Sequence, residues 1–268
     1  MNNRYIGVFD SGLGGLTVVK ELKKVLPGEN IIYFGDTGRV PYGTRSNETI
    51  IKYVKSDINF LKSFDIKAII VACGTASTVA LPRMDIDGDI PVIGVVEPTV
   101  KAAVEKSKSK RIAVLGTPGT IKSGMYESKI REMCPDVYVI NKACTLFVPI
   151  VENGCTDDDI AYHVCKKYLD EVLSHNVDTI ILGCTHYPLL TKTISKIAGP
   201  DVTLINAGAE TARYIKEYLT KNDLCADSKC EYQYRYYVSD SVDNFSCMAD
   251  LFLDEHITNI EKIDIDKY

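Results

Sequence analysis

The sequence contains no tryptophan, and no apolar stretch in it approaches the length that a membrane-spanning helix needs. Such a helix takes about 20 predominantly apolar residues, so we expect no membrane association. The opening segment, MNNRYIGVFDSG, passes at once into a strand-like run. It lacks the apolar core and the cleavage site of a signal peptide, and we therefore expect a cytoplasmic protein.

An excess of positive charge is also absent. The chain carries 31 Lys and Arg residues against 36 Asp and Glu residues, a formal net charge of -5, and the two signs are interspersed without long blocks. A protein with this balance has no general basic field that would attract nucleic acid or an anionic membrane surface. We expect neither partner, and a local cationic pocket for a small acidic substrate stays compatible with the charge balance.

Motifs for nucleotides, metals and disulfides are missing as well. The chain has no GxGxxG fingerprint, no Walker loop and, among its nine cysteines, no CxxC pair. An odd number of cysteines in a chain of this length does not predict a disulfide framework. Cys225 and Cys230 are too loosely spaced, with too little histidine nearby, to predict a zinc site. Five others are interpreted as small core or surface residues: Cys134, Cys144, Cys155, Cys165 and Cys247.

Short apolar runs rich in β-formers alternate with longer segments of helical periodicity. Segments such as LTVVKELKKVL and IIKYVKSDINFLKSF repeat apolar residues at helical spacing. Continuous Ile and Val runs joined by helices predict parallel strands buried on both faces, and hence the α/β class. In such sheets chemistry collects at the carboxyl ends of the strands. The candidate strands include YIGVFD, NIIYFGD, AIIVAC, PVIGVV, RIAVLG, VYVIN, TIILGC and YQYRYYVS.

Two parts of the chain repeat one layout. The segment DINFLKSFDIKAIIVACGTAS resembles KYLDEVLSHNVDTIILGCTHY, and upstream IGVFDSGLGGLTVVKEL is loosely matched by IAVLGTPGTIKSGMYES. Two matches in the same order favour a duplicated α/β domain over chance. We predict one domain from residues 1–96 plus 209–268 and a second from residues 97–208, each a mainly parallel sheet flanked by helices.

Cys73 and Cys184 take corresponding places in the two repeats, each at the end of an apolar run. If the two domains face one another, the two thiols can flank one pocket. Two acid/base groups on opposite faces of a stereocentre are what inversion without a cofactor requires, since one abstracts the α-proton as a thiolate and the other donates a proton as a thiol. A free thiol has a pKa of about 8.5, so modest electrostatic help makes both forms accessible near neutral pH.

Each candidate also has a purely structural interpretation. A cysteine at a strand end often packs as a small hydrophobe, and a redox dithiol stays open. His186 either works with the catalytic groups or is a hydrogen-bonded turn residue. Asp10 either assists the first thiol or forms a helix cap or Asx turn. The glycines of SGLGG are interpreted as letting backbone N–H groups approach a carboxylate. The PYG segment at 41–43 is interpreted as a loop turn or as a lip that contacts a ligand.

Five motifs, in this order, resemble those of glutamate racemases within the aspartate/glutamate racemase superfamily: FDSGLGG, YFGDTGRVPYG, VACGTAS, FVPIVENG and ILGCTHYPLL. The resemblance spans nearly the whole chain. It implies two pseudo-symmetric α/β domains with the active site in the cleft between them. It further implies interconversion of L- and D-glutamate without pyridoxal phosphate, metal or any other cofactor, to supply D-glutamate for bacterial peptidoglycan. Members of this family are often homodimers, so a homodimer is compatible with it.

The same resemblance implies roles for individual residues. Cys73 and Cys184 match the catalytic pair, with Cys73 abstracting the proton of the D-enantiomer and Cys184 that of the L-enantiomer. Asp10 and His186 match the assisting acid/base positions, and Glu152 matches an acidic residue near the site. Substrate-binding positions are implied for Asp10 and for nine further residues: Ser11, Pro41, Tyr42, Gly43, Gly74, Thr75, Thr117, Thr120 and Thr185.

One position departs from the family pattern. The motif usually reads CNT, whereas this chain has Cys73-Gly74-Thr75. The resemblance implies that the Asn side chain contacts the bound amino acid, so glycine removes a hydrogen bond to the substrate. The loss of a neutral hydrogen bond costs about 0.5–1.5 kcal/mol, although water can replace part of it. We therefore expect weaker substrate affinity with the chemistry retained, and a lower KM for glutamate in a Gly74→Asn variant.

Other functions stay open at this point. A related racemase or isomerase could act on aspartate or another small acid, and Gly74 leaves room for that alternative. A two-domain α/β protein could also bind an acidic ligand without catalysis, although the paired cysteines disfavour it. A thiol redox protein would form a Cys73–Cys184 disulfide under mild oxidation.

Overall fold

The strands of the protein fall into two separate sheets. The structure is a computed structural model that describes residues 2–86, 88–227 and 232–268. Within these residues every strand pairing is parallel. The first sheet contains β1 (Tyr5–Asp10), β2 (Ile31–Gly35), β3 (Ile66–Val71), β4 (Val92–Gly94), β9 (Tyr234–Val238) and β10 (Ile260–Lys262). The second contains β5 (Arg111–Gly116), β6 (Tyr138–Ala143), β7 (Thr179–Leu182) and β8 (Thr203–Asn206).

Helices connect these strands and cover the sheets. In chain order they are α1 (Leu16–Val25), α2 (Asn47–Lys62), α3 (Gly74–Val79), α4 (Val96–Lys106), α5 (Pro118–Lys122), α6 (Met125–Met133), α7 (Phe147–Glu152), α8 (Asp159–Leu173), α9 (Thr191–Ala198), α10 (Ala207–Lys221) and α11 (Val242–Leu253). The predicted α/β class with two mainly parallel sheets flanked by helices is confirmed.

The alternation of side chains along each strand divides the core of the first sheet in two. Ile6 and Val8 of β1 point to the face that α1 and α11 cover. Phe9 of β1 points to the opposite face, where α2 packs. Successive side chains of a strand point to opposite faces, and here both faces are apolar. A strand that is apolar on both faces is what a buried parallel sheet requires.

The two sheets share one strand order. Four adjacent strands of the first have the order β2-β1-β3-β4, ending at the edge strand β4, and the second has the order β6-β5-β7-β8. The third strands of the two units, β3 and β7, are those whose segments resemble each other in the sequence. Cys73 follows the end of β3 by two residues, and Cys184 follows the end of β7 by two residues. The duplication read from the sequence therefore has a topological counterpart.

The strand predictions were wrong in two respects. β8 and β10 were not predicted, because runs of four and three residues are too short to show a period. The strand predicted from PVIGVV is also shorter than expected, since β4 ends at Gly94 and Val96 already begins α4.

A buried ion pair lies at the amino end of β3, the end of the strand that is remote from Cys73. Lys67 is on β3 with its side chain fully buried, and it forms an ion pair with the buried Glu29. Its Nζ also donates to the carbonyl oxygens of Asn2 at 2.8 Å and Leu224 at 2.9 Å. Since water does not reach this ammonium group, its charge depends on Glu29 for compensation.

Removing one partner of this pair should therefore be costly. We expect Lys67→Met to lower the free energy of unfolding by about 3–5 kcal/mol, because it leaves the Glu29 carboxylate buried without a cation. The double variant Lys67→Met/Glu29→Gln should recover much of that loss. Lys166→Met, which breaks the exposed pair with Asp170, is the matched control and should cost under about 1 kcal/mol. Urea unfolding measures all three, and a similar cost for both single variants would contradict the account.

Candidate active site

A cavity of about 460 Å³ lies between the carboxyl ends of the two sheets, and loops from both sheets line it. Thirteen of the residues predicted from the sequence are on its walls: Ser11, Pro41, Tyr42, Gly43, Cys73, Gly74, Thr75, Thr117, Thr120, Glu152, Cys184, Thr185 and His186. Asp10 is the exception, because it is buried behind the wall. The structure thus brings the predicted residues together around one space.

Cys73 reaches the cavity from the N-cap position of α3. Its Sγ accepts a hydrogen bond from the Ala76 backbone N–H at 3.5 Å and lies 3.4 Å from Ser11 Oγ. Burial raises the pKa of the Cys73 thiol, the nearby Asp10 carboxylate raises it further, and it reaches about 12. Cys73 is therefore a protonated thiol at neutral pH and is suited to donate a proton.

Cys184 faces a different environment. Its Sγ lies 4.0 Å from His186 Nδ1, and the other ring nitrogen of His186 lies 3.0 Å from Glu152 Oε1. Burial by itself lowers the pKa of His186, but its hydrogen bonds to Cys184 and Glu152 and the charges of Cys184 and Asp10 outweigh burial and raise it to about 10. His186 is thus an imidazolium at neutral pH, and its positive charge lies beside the Cys184 sulfur.

Asp10 lies beneath the cavity at the end of β1. It accepts a hydrogen bond from the Gly12 backbone N–H at 3.0 Å, and Thr185 Oγ1 donates to it at 3.4 Å. Burial raises the pKa of Asp10, while the positive His186 and these hydrogen bonds oppose that rise. The carboxyl group therefore acts electrostatically on both the Cys73 side and the His186 side of the site.

Hydroxyl groups from the two halves meet on a third wall. Thr75 follows β3, whereas Thr117 and Thr120 follow β5. Thr75 Oγ1 lies 2.9 Å from Thr117 Oγ1 and 3.4 Å from Thr120 Oγ1. No described residue on the cavity wall is Lys or Arg, so the cationic pocket that the charge balance allowed is limited to His186. An anionic ligand would depend on these hydroxyl groups and on backbone N–H groups for recognition.

Glycines let loops of the two halves approach closely. A Cβ atom on Gly74 would lie 2.5 Å from the carbonyl oxygen of Gly183, and a Cβ on Gly14 would lie 2.1 Å from Thr185 Oγ1. Distances below 3.0 Å do not occur at real Cβ atoms, so neither position has space for a side chain. Of the SGLGG turn, only Ser11 and Gly12 line the cavity, and its later glycines serve packing.

Eight wall residues were not predicted: Val40, Thr44, Pro118, Cys144, Thr145, Val148, Pro149 and Gly183. Cys144 and Thr145 follow β6 directly, so the rule that places chemistry after parallel strands also applies to them. Cys144 was interpreted as a small core or surface residue; it is buried, and it also borders the cavity.

Neither a metal-binding cluster nor a membrane-spanning helix is present in the part of the chain that the structure describes. Within the described ranges, no group of three or more His, Cys, Asp or Glu side chains is arranged to hold a metal ion. Cys225 is described, whereas Cys230 lies outside the described residues. None of the helices in the described part of the chain has the length and apolarity to cross a bilayer.

Residues 6–215 match the family described as Asp/Glu/Hydantoin racemase. The chain belongs to this racemase family. A glutamate racemase of Geobacter metallireducens is 42% identical over 261 residues, with 97% of each chain covered. The structure of the glutamate racemase isoform RacE1 of Bacillus anthracis superposes with a TM-score of 0.94 at 39% identity and 98% coverage of both chains. A Francisella tularensis glutamate racemase, solved in complex with D-glutamate, superposes with a TM-score of 0.92 at 39% identity and full coverage of both chains.

Racemases are isomerases, and the site of this family member has two thiols in unlike surroundings. The exposed fractions of the two are similar, 6% for Cys73 and 9% for Cys184. A difference in their reactivity would therefore report their electrostatics rather than their accessibility.

We expect iodoacetamide to modify Cys73 at least about tenfold more slowly than Cys184 at pH 7, because a pKa of about 12 leaves Cys73 almost no thiolate and only the thiolate is an effective nucleophile. Peptide mass mapping over time measures the two rates separately from those of the other cysteines. His186→Asn should slow modification of Cys184 and leave Cys73 unchanged. Equal rates at Cys73 and Cys184 would show that the assigned electrostatics are wrong.

Proposed function

We propose that this protein is a cofactor-independent glutamate racemase that interconverts L- and D-glutamate by two-base proton transfer at Cα. The observation that carries the proposal is the placement of Cys73 and Cys184 at equivalent strand ends, on the walls of one cavity. The relatives named glutamate racemase and the Francisella tularensis complex with D-glutamate support glutamate as the substrate.

In the direction from L- to D-glutamate, the Cys184 thiolate abstracts the α-proton. The His186 imidazolium beside it stabilises the thiolate beforehand. Cys73, whose pKa of about 12 keeps it protonated, then delivers its proton to the opposite face of the carbanion. The atoms balance, because Cys184 gains one proton, Cys73 loses one, and the configuration at Cα is inverted.

After one turnover the protonation states of the two thiols are reversed, which is the state that accepts D-glutamate. We propose that Asp10 and His186 assist the thiols in this exchange, since the charge of Asp10 raises both the pKa of Cys73 and the pKa of His186. Glu152 holds His186 through its 3.0 Å contact with Nε2. It is therefore proposed to orient the imidazolium rather than to exchange protons with the substrate.

The α-proton of an amino-acid carboxylate is very weakly acidic, so a thiolate alone does not suffice. The site must also stabilise the developing carbanion with preorganised donors and exclude water. Thr75, Thr117 and Thr120 are proposed to donate hydrogen bonds to the substrate, together with Ser11 and Thr185. Pro41, Tyr42 and Gly43 form the wall beside the Thr117 loop, and Gly74 contributes backbone only.

The wider context is proposed on the same basis. The product D-glutamate would supply bacterial peptidoglycan, and we place the reaction in the cytoplasm. We propose a domain division into residues 1–96 plus 209–268 and residues 97–208, because β9 and β10 join the first sheet. A homodimer is compatible with this arrangement.

Purified protein, stripped of cofactors by gel filtration with a chelator, should convert L-glutamate into D-glutamate as measured by chiral chromatography. Cys73→Ser and Cys184→Ser should each lower kcat by at least about a thousandfold, because a serine hydroxyl is a far weaker acid/base than a thiol. Cys247→Ser, which changes an exposed cysteine, is the control and should retain full activity. Turnover of aspartate instead of glutamate would favour the related racemase, and full activity in either active-site variant would refute the two-base assignment.

The geometry at Gly74 reverses the expectation drawn from its missing side chain. The family's Asn would place Cβ within 2.5 Å of the Gly183 carbonyl, so the two walls of the cavity would have to separate. We expect Gly74→Asn to raise KM for glutamate about threefold to tenfold, and Gly74→Ala to raise it equally, since both add the same Cβ. A fall in KM for Gly74→Asn alone would restore the hydrogen-bond explanation.

A further inference from the structure

A buried charged cluster lies behind the Tyr42 wall of the cavity, and the proposed reaction does not use it. Asp36 follows β2 and Asp57 lies on α2, and both side chains are fully buried. Arg39 connects them, because its Nε donates to Asp36 Oδ2 at 2.6 Å and its terminal nitrogen donates to Asp57 Oδ1 at 2.6 Å. One guanidinium group therefore serves two carboxyl groups, and two ionised aspartates would leave an uncompensated buried charge.

The hydroxyl group of Tyr42 lies between the same two carboxyl groups. Its Oη is within hydrogen-bond distance of both Asp36 Oδ2 and Asp57 Oδ2, at 2.9 Å from the latter. A phenol has one proton to donate. If both aspartates were ionised, one of these contacts would set an oxygen lone pair against another. Both contacts are satisfied when one carboxyl group carries a proton and donates it to Tyr42 Oη.

The surrounding donors indicate which aspartate holds this proton. Asp36 accepts from Arg39 Nε and also from Ser239 Oγ at 2.8 Å. Among the residues that the structure describes, Asp57 accepts only from Arg39, apart from its contact with Tyr42. Hydrogen-bond donors therefore stabilise a negative charge better on Asp36 than on Asp57. In agreement with this, burial and the charge of Asp36 raise the pKa of Asp57 well above its usual range, although Arg39 opposes them.

We propose that Asp57 is a neutral carboxylic acid at neutral pH that donates to Tyr42 Oη, while Tyr42 in turn donates to the Asp36 carboxylate. This relay fixes the ring of Tyr42 and with it the Pro41–Gly43 wall of the cavity. Asp36, Arg39 and Asp57 are thus positioning residues, which act on the substrate through Tyr42. Only their kinetic effect depends on the proposed glutamate racemase activity.

The wall that the relay holds is in contact with the other half of the protein. A Cβ on Gly119 of α5 would meet the carbonyl oxygen of Gly43 at 3.0 Å. Tyr42 itself is buried, and its ring packs on Tyr53 of α2, which also lies under the Arg39 guanidinium group. Displacement of Tyr42 would therefore disturb the closest approach between the Gly43 loop and the Thr117 loop.

Infrared difference spectroscopy tests the proton directly and needs no substrate. The difference between the wild-type protein and Asp57→Asn at pH 7 should contain the carbonyl stretch of a protonated carboxylic acid, lost in the variant. Asp250→Asn, which changes a half-exposed aspartate on α11, is the control and should show only the loss of carboxylate bands. If Asp57→Asn also shows only carboxylate bands, Asp57 is ionised and the proposal is wrong.

Kinetics of the folded variants test the positioning role. Asp57→Asn keeps a donor toward Tyr42 and should change KM for glutamate by no more than about twofold. Asp57→Leu removes that donor and should raise KM about tenfold with a smaller effect on kcat, and Asp36→Asn should do the same. Equal losses in Asp57→Asn and Asp57→Leu would show that the charge of Asp57 is needed and would overturn the proposal. If the wild-type protein does not racemise glutamate, the proposed function fails, and the infrared result still decides the protonation of Asp57.

Discussion

Parallel strands carry their carboxyl ends to one edge of a sheet, and in this protein the two sheets face each other along those edges. β3 and β7 occupy equivalent places in the four-strand order that the two sheets share, and each is followed after one residue by a cysteine. The rest of the site depends on this arrangement. It brings Cys73 and Cys184, more than a hundred residues apart in the chain, to the walls of one cavity, and the hydroxyl groups of the Thr75 and Thr117 loops arrive there for the same reason.

The two halves are alike in topology and unlike in electrostatics. Cys73 is buried close to the Asp10 carboxylate, which keeps it a thiol. Cys184 has an imidazolium beside it, held in place by Glu152. Two thiols in identical surroundings would be equally suited to act as the base, and neither would be favoured as the proton donor. Under the proposed mechanism, this difference between the neighbours of the two cysteines prepares one thiol to accept a proton and the other to donate it.

Much of this arrangement could be predicted from the sequence because it depends on local patterns. Apolar runs locate β1, β3, β5 and β7, and the duplicated layout pairs Cys73 with Cys184. The remainder depends on contacts between segments that are distant in the chain. No local pattern shows that the Gly183 carbonyl fills the space beside Gly74, and this contact reverses the expected effect of adding the family's Asn. The Asp36–Asp57 pair was likewise not predictable, because it forms only when α2 packs against the loop that follows β2.

The central claim is that two different residues act on opposite faces of one α-carbon. Early-time racemisation in D2O tests this most directly, with mass spectrometry of the separated enantiomers. From L-glutamate, the account predicts that the D-glutamate product carries deuterium at Cα while the remaining L-glutamate keeps its protium, because the proton taken by Cys184 is not the one that Cys73 returns. Deuterium appearing at equal rates in recovered L-glutamate and in D-glutamate would indicate a single base that serves both faces and would contradict the account.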